Sequence, residues 1–146
     1  MVTPEQAIDD ARRGKLRAVY LLVGEEQYWQ ARVQKALREA TVQGGIPGLN
    51  EDTFNAGETS ATAKAVVSAC HTLPMMAQRR FVLVRGLERW EGNEQELDHL
   101  SRYLEAGSET TVLVLTAHKL DMRRKFCARA RKDGLVVECE SPKPAM

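Results

Sequence analysis

The sequence has few of the residues from which disulfide frameworks and metal sites are built. Its three cysteines, Cys70, Cys127 and Cys139, are odd in number, widely spaced and without a CxxC pair. This pattern predicts neither a disulfide framework nor a zinc site. The three histidines likewise lack the spacing of metal ligands, so we expect no bound metal.

Long apolar runs, a strong net charge and abundant aromatic residues are also missing. No run approaches the roughly 20 apolar residues that cross a bilayer, and the first residues lack the apolar core of a secretion signal. A formal net charge of +1 provides no bulk attraction for nucleic acid or anionic membrane. Aromatic residues make up 5% of the chain and do not alternate with basic ones, which argues against base stacking. A reduced, cytoplasmic protein fits these absences.

The sequence does contain short apolar runs that alternate with helical patterns. Strands are predicted at 18–23, 50–54, 81–84, 110–115 and 134–138, and helices at 3–14, 25–41, 62–70, 93–106 and 121–132. Continuous apolar runs are typical of strands buried on both faces of a parallel sheet, whereas the polar run 50–54 indicates an edge strand. The alternation predicts a doubly wound α/β domain with a five-stranded parallel sheet. We expect residues 1–140 to form one domain and the Pro-rich residues 141–146 to begin a linker.

The turn after the first strand is where nucleotide-binding proteins of this class hold phosphate. A phosphate-binding loop needs glycines, a lysine and a hydroxyl residue. This turn has only Gly24, followed by the carboxylates Glu25 and Glu26, which suit a helix N-terminus but repel phosphate. No acidic pair follows the third strand and no GxSxG motif is present. We therefore expect no nucleotide cofactor and no catalytic site, although an atypical enzyme using Glu25, Glu26 or Asp121 stays open.

The segment Leu73-Pro74-Met75-Met76 joins a predicted helix to a predicted buried strand. Connections run over the surface and are normally polar, yet this one has four consecutive apolar residues. One interpretation is that they fold back and close the end of the core. The other is that two flexible thioethers on a surface turn enter a partner's apolar pocket.

Basic residues cluster in two places along the chain. One group surrounds the third strand and comprises Arg79, Arg80, Arg85 and Arg89, and the other lies on the last helix at 123–132. Charges along a helix usually form its solvated side, although direct DNA binding through the last helix is an alternative.

Three stretches, taken in order, resemble the N-terminal domain of the delta subunit of the bacterial DNA polymerase III clamp loader. They are VYLLVGEE at 19–26, LPMMAQRRFVLVR at 73–85 and KLDMRRKF at 119–126. The resemblance extends over roughly residues 17–144. It implies an AAA+-like fold without ATPase machinery, followed by lid and collar domains.

The resemblance also implies a function and a site. In that family the delta subunit binds the ring-shaped sliding clamp, the beta subunit, and opens the ring for loading on DNA. The gamma/tau and delta-prime subunits are its partners, neighbouring subunits handle ATP, and DNA is met only in the assembled complex. The implied clamp-contacting residues are Leu73, Pro74, Met75, Met76, Gln78 and Arg79, with Met75 and Met76 in place of the family's usual leucine and aromatic pair. A scaffold domain that uses the same residues on another protein stays an alternative.

Overall fold

Five parallel strands form a single sheet in the computed structural model, which describes residues 2–140. The strands are β1 (Val19–Val23), β2 (Glu51–Asn55), β3 (Arg80–Arg85), β4 (Thr111–Ala117) and β5 (Val136–Glu138), and their spatial order is β2-β3-β4-β1-β5. The helices are α1 (Pro4–Arg12), α2 (Gln27–Val42), α3 (Ala63–Cys70), α4 (Glu94–Ala106) and α5 (Lys125–Lys132), with a 3₁₀ helix at Leu87–Trp90. This confirms the predicted α/β architecture.

The sheet is covered on both faces because its inner strands are apolar on both sides. All seven residues of β4 are buried. Alternate strand residues such as Leu113 and Leu115 join one core with α3, α4 and α5, whereas Val112 and Val114 join another with α1 and α2. This two-sided burial is what a continuous apolar run predicts for a central parallel strand.

The two edge strands are β2 and β5, which confirms the edge position predicted for residues 50–54. At the opposite edge, Val2 forms a parallel bridge with Val137. The Val2 N–H donates to the Val136 carbonyl at 2.9 Å, and the Glu138 N–H donates to the Val2 carbonyl at 3.2 Å. Val2, two residues before α1, therefore covers the outer edge of β5.

One helix start was predicted wrongly and one short helix was missed. The last helix does not begin at Asp121, because α5 begins at Lys125 after Arg124. Asp121 instead accepts hydrogen bonds from Arg123 in the turn before the helix. The 3₁₀ helix Leu87–Trp90 was not predicted, although its buried Trp90 donates from Nε1 to the Ala56 carbonyl at 3.1 Å. The predicted linker at 141–146 lies outside the described residues.

Candidate functional site

The segment between α3 and β3 presents its apolar side chains to solvent. Leu73 is 72% exposed, Met75 61% and Met76 82%, whereas Pro74 is half-buried. The structure therefore rules out the interpretation in which these side chains close the core. We call residues 73–76 the apolar tip.

The backbone of the apolar tip is fixed by a buried side chain from another loop. Asn50 is 2% exposed, and its Nδ2 donates to the Met75 carbonyl at 2.8 Å. In return the Met75 N–H donates to Asn50 Oδ1 at 2.7 Å. The next residue, Met76, has a φ of 58° and is the one non-glycine residue with positive φ in the described chain. A left-handed conformation is unfavourable for a residue with a Cβ, so these hydrogen bonds help to hold a turn that the chain would not favour alone.

A second loop, between α2 and β2, adds two apolar side chains to this surface. Ile46 is 55% exposed and Leu49 is 37% exposed. The loop adjoins the apolar tip through Asn50, and a Cβ placed on Gly45 would lie only 3.5 Å from the Cβ of Ala77. Of the six exposed large apolar side chains in residues 2–140, five therefore lie on these two loops. We call the five together the two-loop apolar surface.

The loop between α2 and β2 is held to the body of the domain by a carboxylate. Both Glu51 oxygens accept from the Arg38 guanidinium, and Oε2 also accepts from the Gly48 N–H at 2.7 Å. The bond from Arg38, aided by that from Gly48, lowers the pKa of Glu51 from its ordinary value of 4.5. This loop is therefore positioned by side chains of α2 and β2 and does not depend on a partner for its conformation.

The two remaining predicted contact residues lie just beyond the apolar tip, and their side chains have different surroundings. Gln78 is exposed, while Arg79 is half-buried and lines a groove with Arg17 and Ser108. Arg80, the next residue, pairs with Asp52 at 3.0 Å. Gln78 can therefore border a partner bound at the tip, whereas Arg79 faces the side of the sheet toward β4.

At the turn after β1, three backbone N–H groups donate to acceptors within the protein. The Gly24 N–H donates to the Ala117 carbonyl at 3.1 Å, and the Glu26 N–H donates to the Cys139 carbonyl at 3.1 Å. The Tyr28 N–H donates to the Glu26 carboxylate at 3.2 Å. Phosphate-binding loops use such amides to hold phosphate oxygens. Here the end of β4, the segment after β5 and the Glu26 side chain provide the acceptors instead.

The chain after β5 also explains why a glycine follows β1. Gly24 has a φ of 146°, and a Cβ on it would lie 1.9 Å from the Cys139 carbonyl oxygen. No other residue fits that approach. A glycine is therefore needed at position 24, because the backbone at Cys139 passes too close to the turn for a side chain.

A cleft of about 700 Å³ opens at the carboxyl ends of β2, β3 and β4. Its lining includes Gln27, Arg85, Arg89 and His118, along with Gln30. The buried Gln30 amide donates from Nε2 to the carbonyls of Leu22, Gly24 and Ala117. Gln30 therefore ties α2 to the strand ends where the ligand sites of open parallel sheets lie.

Two of the basic residues at 123–132, one before the last helix and one within it, pair with acids. Arg129 pairs with Asp133 at 2.9 Å and Glu105 at 3.4 Å, and Arg123 pairs with Asp121 at 3.1 Å. The hydrogen bond from the Arg123 side chain is the main cause that lowers the pKa of Asp121. Lys125, Arg131 and Lys132 are exposed, as in a solvated helix face.

The described residues contain neither a candidate metal site nor a candidate membrane span. Within residues 2–140, no three histidine, cysteine, aspartate or glutamate side chains are grouped so that they would hold a metal ion. In the same part of the chain, no helix has the length and apolar character needed to cross a membrane.

The sheet order, the helix after β1 and the cleft at the strand ends define an AAA+-like α/β domain. Residues 20–140 match the family model for DNA polymerase III, delta subunit, and the chain belongs to that family. Comparison with curated proteins gives no match.

Solved structures show the same fold. The Bacillus subtilis DNA clamp loader delta protein superimposes with a TM-score of 0.84 at 23% identity, over 96% of this chain and 43% of that one. A DNA polymerase III gamma-subunit-related protein from Thermotoga maritima gives a TM-score of 0.62 at 15% identity, over 97% of this chain and 46% of that one. Domain III of the Thermotoga maritima replication initiation protein DnaA gives 0.60 at 12% identity, over 96% and 62%. The chain thus spans less than half the length of the first two.

Proposed function

We propose that this chain is the clamp-binding domain of a clamp-loader delta subunit, and that its two-loop apolar surface enters an apolar pocket of the sliding clamp, the beta subunit. The observation that carries the proposal is the exposed tip at Leu73, Met75 and Met76, held by Asn50 in a chain of the delta-subunit family. Large apolar groups clustered on a surface mark interaction sites. Binding at this surface would help to open the ring for loading on DNA.

The size of the surface is consistent with this role. Fully burying one Met, Leu or Ile side chain contributes about 1.5–3 kcal/mol, whereas a nanomolar complex requires about 12 kcal/mol after the costs of association. Met75 and Met76 alone would therefore not suffice. Ile46, Leu49 and Leu73 extend the apolar area, and the exposed Gln78 borders it.

We further propose that the chain neither binds nor hydrolyses ATP and has no catalytic site of its own. The support is the turn after β1, where the amides of Gly24 and Glu26 are paired with protein carbonyls and a carboxylate stands where phosphate would bind. ATP would be handled by neighbouring loader subunits. The gamma/tau and delta-prime subunits would be partners of the chain, and DNA would be met in the assembled complex in the cytoplasm. A linker at 141–146 to further domains is part of the same proposal.

The proposal is tested by titration calorimetry of the chain against a bacterial sliding clamp. We expect Met75→Ala combined with Met76→Ala to abolish binding while the thermal midpoint shifts little, because both side chains are exposed. Tyr28→Ala is the matched control, since Tyr28 is 56% exposed but lies at the start of α2. Equal loss of binding in the control, or no binding by the unsubstituted chain at tens of micromolar clamp, would contradict the proposal.

The lack of nucleotide binding has its own test. Thermal unfolding is followed with and without magnesium ATP, because a ligand that binds the native state raises the midpoint. We expect no change in the midpoint. A rise that depends on ATP concentration would instead favour the atypical enzyme.

A further inference from the structure

The sulfur atoms of this domain fall into a protected set and an exposed set. Cys70, Cys127 and Cys139 are at most 3% exposed. Burial raises the pKa of their thiols to about 12, about 11 and about 12. Because the thiolate is the form that oxidants attack, these thiols are shielded both by packing and by protonation.

The exposed set consists of the thioethers of Met75 and Met76. Met122, by contrast, is partly buried against the core beneath α5. Methionine oxidation requires no deprotonation and depends mainly on access of the oxidant to sulfur. Met75 at 61% and Met76 at 82% exposure are therefore the most accessible sulfur atoms within residues 2–140.

We propose that Met75 and Met76 form an oxidation site for peroxide-class oxidants. We also propose that their sulfoxides prevent the two-loop apolar surface from binding its partner. In each step the thioether sulfur attacks the OH oxygen of the peroxide, the O–O bond breaks, and the sulfur gains one oxygen. The proton of that oxygen passes to the departing oxygen, which leaves as water from hydrogen peroxide or as an alcohol from an alkyl hydroperoxide. Sulfur loses two electrons and the peroxide gains them. The second half of this inference, the loss of clamp binding, rests on the proposed function.

The consequence for binding follows from polarity. A sulfoxide is polar and accepts hydrogen bonds, and oxidation of this kind disrupts methionine-rich interfaces. In an apolar pocket its oxygen would be buried without a donor, which is unfavourable. The fold itself should be unaffected, because both side chains point into solvent. Methionine sulfoxide reductases reverse the modification with two electrons and two protons, releasing water.

The first experiment measures where oxygen is added. The folded chain is treated with hydrogen peroxide, its thiols are then alkylated after unfolding, and tryptic fragments are analysed by mass spectrometry over time. Met75 and Met76 lie in the fragment 65–79 and Met122 in the fragment 120–123, so their rates separate. We expect the first pair to oxidise at least several-fold faster than Met122. Equal rates, or faster oxidation of Met122 or of any cysteine, would overturn the proposed site.

The second experiment measures clamp affinity of the same samples by calorimetry. We expect peroxide to weaken binding at least tenfold, with recovery after treatment with methionine sulfoxide reductase. Met122→Leu, which lies outside the surface, should show the same loss and recovery. Unchanged affinity after complete oxidation of Met75 and Met76 would overturn the proposed loss of binding. If the untreated chain does not bind the clamp, the proposed function fails, whereas the oxidation site still stands or falls on the mass spectra.

Discussion

The side-chain amide of Asn50 makes two hydrogen bonds to the backbone of Met75, one to its carbonyl at 2.8 Å and one from its N–H at 2.7 Å. Asn50 directly precedes the edge strand β2, and Met75 lies in the apolar tip before β3. One buried polar side chain thus joins the two loops that carry the exposed apolar residues.

Asn50→Ala should therefore damage recognition without touching an apolar contact residue. We expect the loss of both bonds to lower the free energy of unfolding by about 1–3 kcal/mol and to weaken clamp binding by loosening the tip. Asn55→Ala is the control, because the Asn55 side chain donates to an exposed Glu58 side chain at 3.1 Å and not to the apolar tip. Calorimetry with chemical denaturation measures both effects, and unchanged binding by Asn50→Ala would show that the tip holds its conformation unaided.

Substitutions at Met76 can separate the effect of backbone conformation on stability from the effect of the side chain on clamp binding. Its φ of 58° suits glycine, so Met76→Gly should leave stability unchanged or raise it by up to about 1 kcal/mol while it weakens clamp binding. Met76→Val should destabilise by about 1–2 kcal/mol, because branching at Cβ adds strain in the left-handed region beyond that of Met76 itself. Denaturation midpoints of the two variants would be compared. A less stable glycine variant would contradict the left-handed turn.

Gly24→Ala tests whether the chain after β5 crosses the turn as described. A Cβ would lie 1.9 Å from the Cys139 carbonyl oxygen, so we expect a loss of at least 3 kcal/mol or failure to fold, more than the ~1–3 kcal/mol typical of an overpacked core. The control is Gly14→Ala, where φ is also positive at 78° but no atom lies within 4 Å. It should cost about 1–2 kcal/mol. Similar thermal midpoints for the two variants would refute the close approach.

Because three thiols are buried, we expect the free energy of unfolding to fall at alkaline pH. Their pKa values are raised from 9.0 to about 11–12 in the folded chain, so the unfolded state releases protons first as the pH rises. Their contribution is complete below pH 9 and declines between about pH 9 and pH 12. Thermal midpoints measured across this range should fall. Cys139→Ala, which removes one such thiol, should fall less steeply than the unsubstituted chain, and an equal slope would exclude Cys139 as a source of the effect.

The sheet and its helices were predictable because local patterns and tertiary burial agree. A seven-residue apolar strand such as β4 has few alternatives to the centre of a parallel sheet. The start of α5 was less predictable, since Asp121 has the side chain of an N-cap but pairs with Arg123 in a turn before the helix. Competing local hydrogen bonds of aspartate explain this difference.

The apolar tip was identifiable from sequence because four apolar residues interrupt an expected polar connection. Ile46 and Leu49 were missed, although they follow the same rule, being apolar residues set among Gly44, Gly45, Pro47 and Gly48. Their proximity to Met75 was not predictable. It depends on β2 and β3 being neighbours and on Asn50 reaching across, and neither feature has a local signature.

The direction of β2 and β3 places the two-loop apolar surface and the cleft at opposite ends of the sheet. The two loops precede these strands, whereas the cleft lies beyond the carboxyl ends of β2, β3 and β4. The six residues of β3 span about 20 Å. A protein bound at one end of the sheet therefore leaves the other end uncovered. Two neighbours can thus contact this single domain at the same time, one at each end of the sheet.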